Sequence, residues 1–155
     1  GLITDRSPNV NHVHELILNR LENVDASLSD AAFYHFKTPG KMLRAKMAMQ
    51  SASLAKIDIS ISLLWAASVE VLHNASLIHD DICDGDKQRR GRASIWIKFG
   101  RDTALTLGDW LIALSFELAS EAAEMSNTPR LVGILARHMA TTTAGARVPP
   151  HSRST

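Results

Sequence analysis

The side chains best suited to chemistry follow one another closely between positions 80 and 92. Four acids precede four bases, so the segment has no net charge but strong local charges: Asp80, Asp81, Asp84, Asp86, Lys87, Arg89, Arg90 and Arg92. If the preceding helix continues through Asp84, then Asp80 and Asp84 lie about 40° apart on one face, with Asp81 beside them. This spacing predicts a carboxylate cluster at the end of a helix.

Such a cluster favours a bound cation. Neighbouring carboxylates raise each other's pKa values, and the carboxyl end of a helix further disfavours negative charge. Hard oxygen ligands suit Mg²⁺, which takes one or two carboxylates together with phosphate oxygens and water. Arginine recognises phosphate through paired hydrogen bonds, so the bases that follow fit the same ligand. Solvated acidic residues in a loop are the simpler interpretation, but the core-like composition of 69–78 favours a metal–diphosphate site.

The elements that must position these residues are helices, because apolar residues recur at three- and four-residue steps along most of the chain. We expect a first helix that begins at Ser7 and Pro8 and carries one apolar stripe to Leu28, and further helices over 41–56, 58–78, 104–125 and 127–143. Gly85 and Gly91 bracket a polar loop, and 94–97 is too short to build a sheet. The predicted core of 104–125 contains Leu105, Leu111, Ile112, Phe116 and Leu118. The fold class is all-α.

Four ordered motifs then resemble the trans-prenyltransferases, or polyprenyl diphosphate synthases. The segment from Asp80 to Gly91 resembles that family's first aspartate-rich motif, DDxxD followed by RRG. The segment 40–44, GKMLR, resembles its GKRLRP segment. His73 stands where the family has a diphosphate-binding His or Gln, and 108–112, GDWLI, resembles its GDxLL helix. The resemblance covers roughly residues 7–145 and implies a helical bundle of the isoprenoid synthase type, apparently truncated, with an irregular tail over 146–155.

The resemblance also implies a reaction and a set of site residues. The family condenses isopentenyl diphosphate with an allylic diphosphate, head to tail. By analogy, Mg²⁺ held by Asp80, Asp81 and Asp84 would grip the allylic diphosphate, assisted by Arg89. The isopentenyl diphosphate would bind to a second set of residues: Lys41, Arg44, His73 and Arg90. Ala75 and Ser76 would line the product tunnel, and their small size predicts products longer than farnesyl.

The sequence departs from the family pattern at several positions. Met42 replaces an arginine, Ala45 and Ala93 replace prolines, and Ala146 replaces a glutamine. The family's second aspartate-rich motif has no counterpart here. The sequence therefore leaves open an alternative, in which the chain is an inactive fragment or a regulatory subunit that binds Mg²⁺–diphosphate or a full-length partner. Exposed core helices would favour a homo-oligomer, such as a dimer.

Composition restricts the other classes of function. The 155 residues carry a formal net charge of +1 and a single cysteine, which excludes an internal disulfide framework and a multi-cysteine zinc site. A nucleic-acid arm over 87–92 is disfavoured because four aspartates lie nearby. A nucleophile formed by Cys83 with His79 lacks an orienting third group. We expect no nucleic-acid partner, no membrane span and a cytoplasmic location.

Overall fold

Two helices of 26 residues each, α4 (Ile59–Asp84) and α6 (Arg101–Ser126), pack against each other at the centre of the fold. The computed structural model describes residues 9–146. Within them lie seven helices and one two-stranded hairpin; the other elements are α1 (Val10–Leu21), α2 (Ala26–Lys37), α3 (Leu43–Leu54), β1 (Gln88–Arg89), β2 (Arg92–Ala93), α5 (Ile95–Phe99) and α7 (Arg130–Ala146). The all-α prediction is confirmed.

Helix α4 begins after Asp58, as predicted, and continues beyond Ile78 to Asp84. The Asp58 side chain accepts a hydrogen bond from the Ser60 N–H at 2.9 Å, which satisfies one of the free amides of the first turn. Gly85 ends the helix in the left-handed conformation, with φ of 69°, which a glycine adopts at little cost. The helix therefore continues through Asp84, which is what places the three aspartates on one helical end.

The same helix is also apolar. Among the described residues it is the one helix long and apolar enough to cross a membrane, but 61% of its most apolar 18-residue stretch is buried inside the fold. Leu64, Val71 and Ile78 belong to the main core. The composition of α4 is accounted for by its position as the central core helix of the bundle.

Helix α6 buries a stripe at helical spacing. Leu107, Leu111 and Leu118 have no exposed surface, as the heptad-like spacing requires. Leu111 and Leu118 are confirmed as core, and Ile112 and Phe116 are half-buried. The prediction for Leu105 was wrong: its side chain is 40% exposed, because it lies about 160° around the helix from Leu107.

The first predicted helix is two helices. Its apolar stripe is real, since Val13, Ile17, Leu21 and Leu28 are buried, but the chain turns after Leu21. Asp25 begins the second helix, and its side chain accepts a hydrogen bond from the Ser27 N–H at 2.9 Å. The predicted start at Ser7 and Pro8 lies outside the described residues, as do residues 147–155 of the predicted irregular tail; Ala146, the first residue of that tail, is the last residue of α7.

Candidate functional site

The last turn of α4 presents its three aspartates in two different environments. Asp80 is half-buried and Asp84 is exposed on the same face, one turn further along. Burial raises the pKa of Asp80, and the negative charges of Asp84 and Asp81 raise it further. Asp81 is only 2% exposed and points towards the polypeptide that follows the helix. Two carboxylates therefore form an accessible pair, and the third is buried beside them.

The buried carboxylate is held by arginine. Arg89 Nε donates to Asp81 Oδ2 and Arg89 Nη2 donates to Asp81 Oδ1, both at 2.8 Å. This bidentate geometry is the strongest form of an arginine–carboxylate pair. It also explains why, within residues 9–146, no three His, Cys, Asp or Glu side chains are gathered into a ready cation site. Asp81 is occupied by Arg89 rather than turned towards its neighbours.

The available donors still fit Mg²⁺. That ion is commonly held by one or two carboxylates, with phosphate oxygens and water completing an octahedron. Asp80 and Asp84 supply two carboxylates on one face, and their mutual repulsion is the physical reason for a cation there. These two residues would hold the ion, whereas Asp81 orients the guanidinium of Arg89. The assignment of all three aspartates as metal ligands stays a prediction.

A hairpin that the sequence pattern did not predict directs two adjacent arginines to different places. Gln88 pairs with Ala93 and Arg89 with Arg92, so Arg90 and Gly91 form the turn. Both have positive φ, 53° and 76°, as a tight primed turn requires. The expected polar loop over 85–91 is thus ordered by β1 and β2.

The Arg90 side chain points away from the aspartates and contacts residues 38–40, the segment before α3. Its Nη1 donates to the carbonyl oxygen of Thr38 at 2.7 Å and its Nη2 to Asn74 Oδ1 at 3.2 Å. A Cβ on Gly40 would lie 3.0 Å from Arg90 Nη2, so the absence of a side chain at Gly40 lets the backbone approach the guanidinium. Arg90 therefore connects the hairpin to the residues around Gly40.

A buried polar network supports Arg90. Asn74 Oδ1 also accepts a hydrogen bond from His35 Nε2 at 2.7 Å, and Asn74 Nδ2 donates to the carbonyl oxygen of Glu70 at 2.7 Å. Glu70 is 3% exposed, and its Oε2 has no partner among the described residues. Burial raises the pKa of its carboxyl. Sequence reasoning missed these three residues, although Glu70 and Asn74 were visible as polar residues one turn apart in an apolar helix.

The buried imidazole of His35 predicts a loss of stability in acid. Burial lowers its pKa from 6.5 to about 4, so the unfolded chain takes up a proton first as the pH falls. Between those pH values this residue alone is expected to remove about 3 kcal/mol of the free energy of unfolding. Urea titrations across this range test it with His35→Gln, which keeps an N–H donor for Asn74. Superimposable pH profiles of the variant and the wild type would contradict this assignment.

A second polar group joins α3 to α4 through Arg44 and His73. Arg44 Nη1 donates to His73 Nε2 at 3.1 Å, so the imidazole is the acceptor and is neutral. Burial, together with the positive charges of Arg44, Arg90 and Arg89, lowers the pKa of His73 from 6.5 to about 4. Arg44 and His73 are therefore brought together as the resemblance implied. Lys41 is exposed just before α3.

The two predicted tunnel residues have different surroundings. Ala75 has no exposed surface and belongs to the main core. Ser76 lines a small cleft with Arg44 and His73, and its hydroxyl donates to the carbonyl oxygen of Leu72 at 3.2 Å. One residue along a helix is a rotation of about 100°, so these neighbours face different sides of α4.

Helix α6 contacts the site through His79. Its Nε2 lies 3.1 Å from the carbonyl oxygen of Leu105 and 3.6 Å from Asp109 Oδ1. A Cβ on Gly108 would overlap the His79 ring, so glycine at this position permits the close packing of α6 on α4. His79 is engaged by α6 and Cys83 is exposed, an arrangement that gives no support to a nucleophilic pair.

Comparisons with known proteins give a consistent result. The family model described as Polyprenyl synthetase matches residues 25–148. A geranylgeranyl diphosphate synthase of Saccharolobus solfataricus is 39% identical over 113 residues, which are 73% of this chain and 34% of that protein. An octaprenyl diphosphate synthase of Haemophilus influenzae is 32% identical over 114 residues, 74% of this chain and 35% of that protein.

Solved structures agree. The geranylgeranyl pyrophosphate synthetase from Geoglobus acetivorans superimposes with a TM-score of 0.79 at 34% identity, over 87% of this chain and 45% of that one. A decaprenyl diphosphate synthase from Rhodobacter capsulatus gives a TM-score of 0.78 at 29% identity, over 88% and 41%. The isoprenoid synthase fold is confirmed. The chain spans between about a third and a half of the length of these relatives.

Proposed function

Because this chain belongs to the polyprenyl synthetase family, whose members are prenyltransferases, we propose that it supplies the first diphosphate-binding residues of a polyprenyl diphosphate synthase. The reaction is a Mg²⁺-dependent, head-to-tail (1′-4) condensation of isopentenyl diphosphate with an allylic diphosphate. The observation that carries the proposal is the Arg90–Gly91 turn, which sends adjacent arginines to two separate polar groups. Arg89 pairs with an aspartate of α4, whereas Arg90 binds Thr38 and Asn74, near enough to His73 that its charge lowers the pKa of that imidazole.

The aspartate end is proposed to hold the allylic diphosphate. Asp80 and Asp84 would bind Mg²⁺, which when bound supplies positive charge opposite the departing diphosphate. Asp81 keeps the guanidinium of Arg89 fixed, through two hydrogen bonds, beside the same headgroup. Because negative charge accumulates on the leaving group, fixed cationic groups lower the barrier most where they need not reorganise.

The other polar group is proposed to hold isopentenyl diphosphate. Arg44 and His73 lie in contact, and Arg90 is fixed by Thr38 and Asn74 beneath Gly40. Lys41 follows Gly40 directly and is exposed, so its ammonium group is accessible to a ligand. Guanidinium groups bind phosphate oxygens in pairs, and the hydrogen bond from Arg44 gives His73 a defined orientation.

Product length is proposed to depend on the small residues before the aspartates. Ala75 and Ser76 are small, which by the family resemblance favours products longer than farnesyl. Relatives named for geranylgeranyl, octaprenyl and farnesyl products all match this chain, so the family resemblance alone does not fix the length. The side chain of Ala75 is fully buried, and a larger residue there would reduce the space beside the core.

A second candidate function is a non-catalytic subunit that binds Mg²⁺–diphosphate and pairs with another chain. An open apolar groove favours it: the groove lies between α3 and α4 and is lined by residues that include Met47, Ile61, Trp65 and Leu131. Met47 and the nearby Leu54 are 66% and 87% exposed. Exposed apolar surface of this kind promotes association, so an oligomer is expected in either case.

Product formation separates the two candidates. The purified chain is incubated with labelled isopentenyl diphosphate and an allylic diphosphate, with Mg²⁺ and with a chelator. A synthase is expected to release labelled, longer diphosphates only when Mg²⁺ is present, because the leaving group requires neutralisation. Metal-dependent binding without any product would identify the non-catalytic subunit. If the chain neither binds the substrates nor forms product, both candidates are contradicted.

A further inference from the structure

A narrow cleft lies where α3, α4 and α7 meet. Each helix contributes one nitrogen-containing side chain to it: Arg44 from α3, His73 from α4 and His138 from α7. The hydroxyl-bearing residues Ser76 and Thr142 complete its polar lining, and Leu72 and Met139 form its apolar part. None of these seven lining residues within the described chain is a carboxylate. The cleft is therefore suited to an anion.

The three nitrogen groups are electrostatically coupled. Arg44 Nη1 already donates to His73 Nε2, which holds His73 neutral. The charge of His138 contributes to lowering the pKa of His73, after the larger effects of burial and the arginines, so the two imidazoles lie within electrostatic range. His138 itself is exposed on α7, with its carbonyl oxygen accepting a hydrogen bond from the Thr142 hydroxyl at 2.9 Å.

Helix α7 is held over this cleft by apolar contacts. Leu135, one turn before His138, is 1% exposed and packs with Leu72 and Ala119 in a small core of its own. Met139, next to His138, is partly buried against the same cluster. The backbone that carries His138 is therefore anchored to α4 and α6, whereas the imidazole remains at the mouth of the cleft. An imidazole has an N–H donor in either protonation state.

We propose that His138 donates a hydrogen bond to the diphosphate held by Arg44 and His73, so that α7 contributes to the isopentenyl diphosphate end of the site. This inference rests on the proposed function and extends it to a residue that none of the four sequence motifs contains. His138 would act by binding and positioning the headgroup. It takes no part in bond formation, since the reacting carbons lie at the other end of the substrate.

The test is calorimetric titration of the full chain with isopentenyl diphosphate in a chelating buffer, which keeps the metal-dependent site empty. His138→Leu, which has no hydrogen-bond donor, is expected to weaken binding about fivefold, because a charge-assisted hydrogen bond is lost. His138→Arg restores a donor and should bind within about twofold of the wild type. Arg137→Gln, which removes a cation from the preceding position of α7, is the matched control and should have little effect.

A site-specific signal completes the test. The imidazole resonances of His138 should shift on addition of isopentenyl diphosphate, and those of His12, which lies on α1 and does not line the cleft, should not. If Arg44→Gln weakens binding about tenfold or more, but His138→Leu binds as tightly as the wild type and the His138 resonances do not shift, this inference is wrong and the proposed function stands. If isopentenyl diphosphate does not bind the wild type, or Arg44→Gln binds it equally well, the substrate assignment itself fails together with the inference.

Discussion

Replacing Asp80 and Asp84 together by asparagine is expected to weaken the Mg²⁺-dependent binding of farnesyl diphosphate by about two orders of magnitude. Magnesium binds carboxylate oxygens more tightly than neutral amide oxygens, and asparagine at these positions keeps the shape of the side chain but not its charge. An average loss of one order of magnitude for each carboxylate corresponds to about 1.4 kcal/mol each. The measurement is a calorimetric titration at fixed Mg²⁺ concentration.

The controls for this double variant come from the same segment. Asp86→Asn removes an exposed carboxylate just past the helix end, and should leave affinity within about threefold. Loss of folding is not the expected cause, because Asp80 and Asp84 repel each other and the raised pKa of Asp80 shows that its charged form is disfavoured. Wild-type affinity in the double variant would show that Asp80 and Asp84 do not bind the metal.

Arg89→Met is expected to cost about 3 kcal/mol of the free energy of unfolding at neutral pH. The substitution leaves the carboxylate of Asp81, with a side chain only 3% exposed, buried without its bidentate partner. Removing one member of a buried ion pair typically costs about 3 to 5 kcal/mol, and the lower end applies here because the arginine side chain is 28% exposed. Urea denaturation measures the change through its midpoint and slope.

A paired substitution distinguishes the buried charge from lost packing. In the double variant Arg89→Met, Asp81→Leu both charged groups are replaced by apolar ones, and much of the lost stability should return. If both variants are equally unstable, the packing of the Arg89 side chain rather than the unpaired charge is responsible. A loss below about 1 kcal/mol in Arg89→Met would show that Asp81 is accessible to water, against the environment described for it.

The helical architecture was predictable because periodicity reports which face of each helix is buried. Asp58 and Gly85 mark the ends of α4 through local hydrogen bonds and backbone conformation, so neighbouring residues contain the information. Leu105 shows the limit of this approach: an apolar residue in a helical run need not lie on its buried stripe. The turn between α1 and α2 shows a second limit: the apolar stripe continues across both helices, so periodicity alone does not reveal the short break between them.

The residues of the site could be predicted from the sequence, but the contacts between them could not. The sequence placed Asp80, Asp81 and Asp84 at one helical end, as found, but could not show that Asp81 pairs with Arg89. That pairing depends on a hairpin whose turn requires positive φ at Arg90, a conformation that few residues of this type adopt. The contact between His35 and Asn74 joins positions 39 residues apart, and nothing local to either residue indicates its partner.

The Mg²⁺ dependence of allylic diphosphate binding to the unmodified chain tests the central claim most directly. One sample of the wild-type protein is titrated with farnesyl diphosphate in millimolar Mg²⁺ and another in a chelating buffer. Binding at least about fiftyfold tighter with the metal is expected, because two carboxylates on α4 otherwise repel the headgroup. Equal affinity in the two buffers would contradict the claim that Asp80 and Asp84 share a metal ion with the substrate.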